Sequence, residues 1–167
     1  TVEQFVVFVA KADKTAMLRR LLDGGEIERA LVFTRTKHGA KKLCKQLDRA
    51  GIGTAEIHGN KSQGARERAL AGFRDGRTRV LVATDVASRG IDVDGISHVI
   101  NFDVPNVPES YVHRIGRTGR AGAVGRAISL CDGDERPFLA DIERLIRRRL
   151  PTLSAAPVGA VSAGAAP

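Results

Sequence analysis

The chain has 167 residues, which is enough for one domain with its own hydrophobic core. Its 43% hydrophobic and 28% charged residues are typical of a globular domain, and no apolar run approaches the ~18 residues of a membrane span, so no membrane association is expected. The 27 lysines and arginines exceed the 19 acidic residues, giving +8, which favours a polyanionic partner such as nucleic acid.

Short apolar runs alternate with helical patterns along the chain. Strands are predicted at residues 5–9, 30–33, 54–57, 80–83, 98–101 and 127–130. Five helices are predicted. The first follows an N-cap at Asp13, the second contains the apolar positions 40, 43, 44 and 47, and the third covers residues 63–74. The fourth runs from Pro108 to about Ile115, and the fifth has an apolar face formed by Phe138, Ile142, Leu145 and Ile146. Apolar strands that alternate with helices indicate a buried parallel sheet. The predicted fold is therefore α/β, with a mostly parallel sheet and helices on both faces.

The carboxyl ends of the strands are the expected place for a ligand in such a sheet. The candidate loops therefore follow Phe33, Ala83 and the strand near residue 100. From residue 151 onward the composition changes, because the last stretch carries no charge and is almost wholly alanine, glycine, proline, serine and valine. We predict one domain over residues 1–150, followed by a flexible tail or linker over residues 151–167.

The two cysteines, Cys44 and Cys131, lie far apart and form no C-x-x-C pair. With four scattered histidines they make no recognisable metal site, and buried free thiols are the favoured interpretation. Together with the absence of a signal-peptide pattern at residue 1, this leads us to expect a cytoplasmic location. Because only 4% of the residues are aromatic, we expect a nucleic acid to be held by its backbone rather than by stacked bases.

Residues 113–125 read H-R-I-G-R-T-G-R-A-G-A-V-G, with arginines and glycines each three apart. Each glycine inside a helix costs about 1 kcal/mol relative to alanine, so the helix is expected to end near Ile115 and the later arginines to lie on a loop. Arginine offers a planar fork of donors that matches phosphate. The stretch is either a phosphate-binding loop or a solvated basic loop.

The loop after the strand at residues 80–83 also carries a set of polar groups. It places a hydroxyl, a guanidinium, a glycine and two carboxylates within nine residues: Thr84, Asp85, Arg89, Gly90 and Asp92. Hydroxyl and guanidinium groups donate to phosphate, and a carboxylate suits a ribose hydroxyl, although Thr84 or Asp85 could equally cap a helix. The chain has no G-x-x-x-x-G-K-[ST] phosphate cradle and no acidic metal cluster after a strand, so a nucleotide site would need a second domain.

These segments resemble a known family. V-L-V-A-T-D-V-A-S-R-G-I-D-V (80–93) and Y-V-H-R-I-G-R-T-G-R (111–120) closely resemble motifs V and VI of DEAD-box RNA helicases. A-L-V-F-T-R-T-K (30–37) resembles motif IV, and H-G-N-K-S-Q-G-A-R-E-R (58–68) resembles motif IVa. The likeness covers about residues 1–150, and the bacterial RhlE-like helicases are the subgroup that it indicates. It implies a RecA-like three-layer domain, the C-terminal one of two.

The resemblance also implies roles for individual residues. Arg117 and Arg120 match arginine fingers that reach the γ-phosphate of ATP, His113 matches the residue that couples the two domains, and Asp92 with Gly90 matches the ATP-binding loop. The positions that match RNA-backbone contacts are Gln63, Arg66, Thr84 and Arg89, with Thr34, Arg35 and Gly59 as further candidates. Ser88 stands where the family more often has alanine.

The implied partners are ATP with Mg²⁺, the metal being held by the N-terminal RecA-like domain, and RNA bound without regard to sequence. The domain is expected to be monomeric. Two alternatives stay open at this point: a nucleic-acid-binding module without chemistry, and a domain of another helicase group of the same superfamily. The histidine at position 113 favours the DEAD-box group, because the relatives in question usually carry glutamine there.

Overall fold

The computed structural model describes residues 1–59 and 61–153. Among these residues it contains six strands: β1 (Val2–Phe8), β2 (Ala30–Phe33), β3 (Thr54–Ile57), β4 (Val80–Ala83), β5 (His98–Asn101) and β6 (Gly125–Cys131). The α-helices are α1 (Lys14–Asp23), α2 (Lys37–Arg49), α3 (Gln63–Arg74), α4 (Pro108–Ile115) and α5 (Arg136–Ile146). One-turn 3₁₀ helices precede α1 and α5. None of the described helices has the length and apolarity to cross a membrane.

The strands form one sheet in the order β1-β6-β5-β2-β4-β3. Every pairing between the described strands is parallel. The α/β prediction is confirmed, and "mostly parallel" becomes wholly parallel for the part of the chain that the structure describes. Because all strands point the same way, the loops after β2, β4 and β5 emerge at one edge, which we call the carboxyl edge.

Alternate residues of each central strand face opposite sides of the sheet, as a period of two requires. In β2, Ala30 and Val32 belong to one hydrophobic cluster with side chains of α1 and α2. Leu31 and Phe33 belong to a second cluster with Phe73 of α3. A third cluster joins α4 and α5 to β1 and β6. The fold is therefore a three-layer sandwich: the first cluster packs α1 and α2 on one face of the sheet, and the other two pack α3 to α5 on the opposite face.

Local sequence signals set the ends of several helices. The Thr36 side chain accepts a hydrogen bond from Gly39 N and begins α2, and the Ser62 side chain does the same from Ala65 N for α3. Pro108 occupies the first turn of α4, and the helix ends before Gly116 as predicted. Both cysteines are buried free thiols, and burial raises the pKa of each to about 11. The prediction made for them is confirmed.

Two expectations need correction. Leu145, predicted to lie on the buried face of α5, is exposed, whereas Leu139 is buried. The reason is that the face of α5 that packs on α4 is centred on Leu139 and Ile142. Residues 151–153, predicted as the start of a flexible tail, pair with β1. Val6 N donates to Pro151 O at 3.0 Å, Leu153 N donates to Val6 O at 2.9 Å, and Leu153 is buried in the core. A backbone bridge of this kind leaves no trace in composition. The rest of the predicted tail, 154–167, lies outside the described residues.

Candidate functional site

Two segments that the sequence singled out lie side by side on the face covered by α3 to α5. One is the loop that follows β4, residues 84–96, which we call the β4 loop. The other consists of the end of α4 and the turn after it, residues 113–124, which we call the arginine turn. Four side chains of the second segment bond to the first: Arg114 to Asp85, Arg117 to Ile91 O, Thr118 to Ile96 O and Arg120 to Asp92. The two motifs therefore form one surface.

Arg114 is the most deeply buried link, with 2% of its side chain exposed. Its guanidinium donates to both carboxylate oxygens of Asp85 at 2.6 and 2.8 Å, to Asn101 Oδ1 at 3.2 Å and to Asp103 O at 2.7 Å. It also lies 5.0 Å from the ring centre of Phe33. This arginine is therefore a structural tie rather than a free phosphate ligand. The sequence held a signal for it, because Tyr111, Arg114 and Ile115 share one helix face and Tyr111 and Ile115 are apolar core positions.

Arg117 and Arg120, by contrast, stay accessible. Arg117 donates from Nη1 to the backbone oxygen of Ile91 at 2.9 Å. Arg120 Nη1 lies 2.8 Å from Asp92 Oδ1, in a pair whose side chains are 38% and 79% exposed. The structure thus brings together the two residues that the resemblance assigns to opposite ends of an ATP molecule, and it leaves both facing solvent. His113 is exposed on the same side of α4.

Glycines allow the close approach of these segments. Gly90 has a φ of +76°, in the left-handed region where glycine is strongly preferred. It therefore makes the turn in the β4 loop that comes just before Asp92. Gly119 has a φ of +68°, and a Cβ there would lie 2.6 Å from Thr1 O. The arginine turn therefore needs glycine at position 119 for both conformation and space, since it packs directly on the start of β1.

The predicted RNA contacts come from neighbouring strands at the carboxyl edge. Thr34 follows β2, Thr84 follows β4 and Gly59 follows β3, and the backbone bonds Thr34 N to Ala83 O and Thr84 N to Ile57 O tie these strand ends together. Gly59 is exposed, whereas Thr34 and Thr84 have 1% and 8% of their surface exposed. Thr34 Oγ1 donates to Thr36 O at 3.2 Å. The two threonines line the floor of this edge rather than project from it.

The other predicted RNA-binding residues extend this edge. Gln63 is exposed at the start of α3 and donates to Glu67 Oε1 at 3.3 Å. Arg66, one turn later, donates to the backbone oxygens of Ala87 and Arg89 and so holds the β4 loop against α3. Arg89 itself is exposed. Arg66 therefore positions the β4 loop in this structure, a role that the sequence had not suggested.

Arg35, the last of the predicted RNA-binding residues, contacts a buried cluster of charged side chains beside the loop after β5. Its guanidinium donates to Val104 O at 2.9 Å and to Glu135 Oε2 at 3.3 Å. Glu135 also binds the buried Lys14, whose Nζ lies 2.5 Å from Oε1, and Lys14 in turn donates to Phe102 O at 2.7 Å. This cluster fixes the loop after β5. Sequence reasoning missed Lys14 and Glu135, because they are 121 positions apart and only the fold brings them together.

A cleft of about 510 Å³ lies between the β4 loop and α4. Its walls carry Asp85, Ser88 and Arg89 from the loop and Ser110, His113 and Arg117 from α4 and its end. Arg89 is a predicted RNA ligand, Arg117 a predicted arginine finger and His113 the residue predicted to couple the two domains. Within residues 1–59 and 61–153, no group of three or more histidine, cysteine or acidic side chains could hold a metal ion.

Comparison with known proteins identifies the class. Residues 13–122 match the family model of the helicase conserved C-terminal domain. The chain is 48% identical over 149 residues to the ATP-dependent RNA helicase RhlB of Pseudomonas syringae and 46% identical over 149 residues to the DEAD-box ATP-dependent RNA helicase CshA of Bacillus subtilis. Both alignments cover 89% of this chain but only 38% and 30% of the relative. The chain thus spans about a third of the length of the curated relatives it matches.

Solved structures agree with this result. The E. coli DEAD-box protein SrmB, in a crystal with the regulator of ribonuclease activity A, superimposes with a TM-score of 0.88 at 40% identity, over 91% of this chain and 90% of that one. The C-terminal domain of the DEAD-box protein Dbp5 superimposes with a TM-score of 0.79 at 33% identity, over 90% of each chain. The chain belongs to the C-terminal helicase domain family, in its DEAD-box group.

The resemblance stated from the motifs, including its RecA-like three-layer fold, is therefore confirmed. The finer assignment to the RhlE-like subgroup stays a prediction, since the relatives named above carry other subgroup names. The roles of the individual site residues likewise stay predictions, for which the structure supplies positions and contacts.

Proposed function

We propose that this chain is the C-terminal half of an ATP-dependent RNA helicase, which hydrolyses ATP and opens short duplexes together with an N-terminal RecA-like domain. The observation that carries the proposal is the pairing of Arg120 with Asp92 at 2.8 Å beside Arg117. Residues from two separate motifs converge there on one exposed surface, and their chemistry suits a nucleoside triphosphate: guanidinium groups for phosphate and a carboxylate for a ribose hydroxyl.

On the ATP side, ATP supplies the phosphoryl group that is transferred to water. Arg120 leaves Asp92 and donates to the γ-phosphate oxygens, while Asp92 becomes free to accept from the ribose. Because the Arg120–Asp92 pair is largely exposed, separating its partners costs little, about 0–1 kcal/mol. Arg117 reaches the same phosphate from its anchor on Ile91 O. Arginine fingers of this kind contribute about 10³- to 10⁵-fold to rate.

The metal belongs elsewhere in this proposal. Mg²⁺ would be held by the N-terminal domain, and the residues described here would contact the phosphates through guanidinium groups. His113, exposed on α4 beside Arg117, would contact that domain. We further propose that the protein is monomeric and cytoplasmic, a location in which the free thiols of Cys44 and Cys131 stay reduced.

On the RNA side, the carboxyl edge would hold the sugar–phosphate backbone. Arg89 and the start of α3 supply exposed donors, and Arg66 holds the β4 loop in place. The cleft between the β4 loop and α4 is shared, with Arg89 on one wall and His113 and Arg117 on the other. A shift of this loop when RNA binds would therefore move the ATP-side residues, which supports RNA-stimulated hydrolysis.

Steady-state ATP hydrolysis by the full-length protein, with and without RNA, tests the proposal. We expect Arg120→Ala to lower kcat at least about a hundredfold with little change in ATP affinity, because the interaction is made in the transition state. Arg120→Lys should recover little, since a point charge lacks the planar fork. The matched control is Arg144→Ala, which removes an exposed arginine that pairs with Asp141 at 3.2 Å on α5.

The same assay separates this proposal from a nucleic-acid-binding module without chemistry. Absence of RNA-stimulated hydrolysis in the wild type would favour that module, whereas near-normal kcat in both Arg120 variants would show that Arg120 is not an arginine finger. Residues 1–167 alone should not hydrolyse ATP, because the sequence has no phosphate cradle. Turnover by that fragment, with contaminants excluded, would contradict the two-domain site.

A further inference from the structure

The outer face of α2 carries a concentration of positive charge that the proposed site does not use. The helix has five lysines and arginines and one aspartate, a net +4, which is half of the net +8 of the whole chain in 13 residues. Its inner face is apolar, with Ala40, Leu43, Cys44 and Leu47 buried. By comparison, α5 carries two arginines and two acidic residues and is neutral.

Four of these charges form what we call the α2 stripe: Lys41, Lys42, Lys45 and Arg49. All four side chains are exposed. In the part of the chain that the structure describes, no carboxylate lies within 4.0 Å of any of them, although other cations such as Arg114 and Arg126 are paired. Lys41, Lys45 and Arg49 are spaced four residues apart, so like charges face one another at every turn, which destabilises a helix. Only Arg49, in the last turn of α2, gains from the helix dipole, and the helix gains nothing from the spacing of the lysines.

The stripe continues from the predicted RNA edge. A cleft of about 620 Å³ between α1 and α2 has Thr34, at the end of β2, as part of its lining, together with Lys11, His38 and Lys42. Because α2 begins at Lys37, three residues after Thr34, its basic face leads away from the carboxyl edge toward the far end of the sheet. Lys41, Lys45 and Arg49, four residues apart, lie about 6 Å apart along the helix axis and so form a row of charges that can follow a phosphate backbone.

We infer that the α2 stripe binds the phosphate backbone of RNA that extends beyond the carboxyl edge. This inference rests on the proposed function. The face suits a polyanion better than a protein, because the exposed large hydrophobic side chains of the described residues all lie elsewhere and α2 has no aromatic residue. Protein interfaces usually depend on aromatic or aliphatic anchors at their centre. A stripe of lysines gives affinity that falls with salt and does not depend on sequence.

The test measures RNA binding by the full-length protein and by the triple variant Lys41→Gln/Lys45→Gln/Arg49→Gln. The control is Arg144→Gln/Arg148→Gln/Arg149→Gln, which removes the same charge from exposed positions at the end of α5. Two single-stranded homopolymer RNAs are used, one just long enough to cross the carboxyl edge and one several times longer. Each is titrated over a range of salt concentrations.

The stripe variant should bind the long RNA about tenfold more weakly at low salt, and its slope of log affinity against log salt should fall by about 2, since about 0.7 counterions are released per contact. Its affinity for the short RNA and its kcat at saturating RNA should equal those of the wild type. The variant should melt no lower than the wild type, because like-charge pairs have been removed.

Three results would overturn the inference: equal losses of affinity for the short and the long RNA, an equal loss of affinity in the α5 control, or no loss of affinity in the stripe variant. The last result would indicate that the α2 stripe binds an acidic protein instead. Failure of the proposed function is distinguishable, because the wild-type protein would then show no RNA-stimulated ATP hydrolysis, whatever its affinity for either RNA.

Discussion

Arg114 and Asp85 join α4 to the β4 loop through two parallel hydrogen bonds of 2.6 and 2.8 Å. Arg114 is buried, and its remaining donors bind Asn101 and the backbone of Asp103, so one guanidinium fixes three segments of the chain. The surface that carries the predicted ATP residues depends on this tie, since Asp92 and Arg120 lie on the two segments that it holds together.

Breaking that tie should cost stability. We expect Arg114→Met to lower the free energy of unfolding by about 3 kcal/mol, because it leaves Asp85 and Asn101 without their main partner. Asp85 is 41% exposed and regains water, which keeps the loss at the low end of the range for buried pairs. Urea unfolding measures it. Arg126→Met, which breaks an exposed pair with Glu3, is the control and should lose less than about 1 kcal/mol. Similar losses in the two variants would show that Arg114 is not a special link.

Gly119 offers a second test of how the arginine turn is built. Gly119→Ala should destabilise the protein by about 3 kcal/mol or more and lower ATPase activity, because alanine meets both a φ of +68° and the Thr1 carbonyl oxygen. Gly122→Ala is a matched control. Its φ is +80°, but a Cβ there has no neighbour within 4 Å, so only the conformational cost of about 1–2 kcal/mol remains. Thermal melts that ranked the two variants equally would contradict the packing seen at Gly119.

His98 should make stability depend on pH. Burial, with a smaller effect of the nearby Arg126 guanidinium, lowers the pKa of His98 to about 4 from 6.5. The unfolded chain therefore binds more protons than the folded one between pH 6.5 and about 4, and stability falls as the pH falls through this window. The contribution should be about 2 kcal/mol between pH 7 and pH 5. His98→Gln should show a flatter dependence in urea unfolding, and a variant with the wild-type slope would contradict the role given to His98.

Two arginines near the carboxyl edge should each contribute to RNA affinity independently of RNA sequence, but by different amounts. We expect Arg89→Ala and Arg66→Ala to weaken the binding of all RNA sequences equally, since the proposed contacts are to the backbone. Arg89→Ala should also reduce the salt slope by about 0.7, one phosphate contact. Arg66→Ala should cost more, because it also releases the β4 loop from Ala87 O and Arg89 O. Fluorescence anisotropy with several RNAs measures both. A loss confined to one sequence would require base recognition instead.

The sequence by itself determined much of this domain. The strands at residues 30–33, 54–57, 80–83 and 98–101 and the helix Gln63–Arg74 were predicted with the observed bounds. Their signals are local: continuous apolar runs for the strands and apolar residues at helical spacing for the helix. The motifs were equally local, and they sufficed to predict the family that the comparisons then showed.

Only the tertiary structure decided which of these pieces meet. The strand order β1-β6-β5-β2-β4-β3, the return of Leu153 to β1, and the ties Arg114–Asp85 and Lys14–Glu135 all join residues far apart in the chain. Periodicity reports whether a position faces the core, but not which partner fills the space beside it. A buried arginine or lysine must find its carboxylate within the fold, because an unpaired charge there is too costly, and that partner is fixed by packing across the whole sheet.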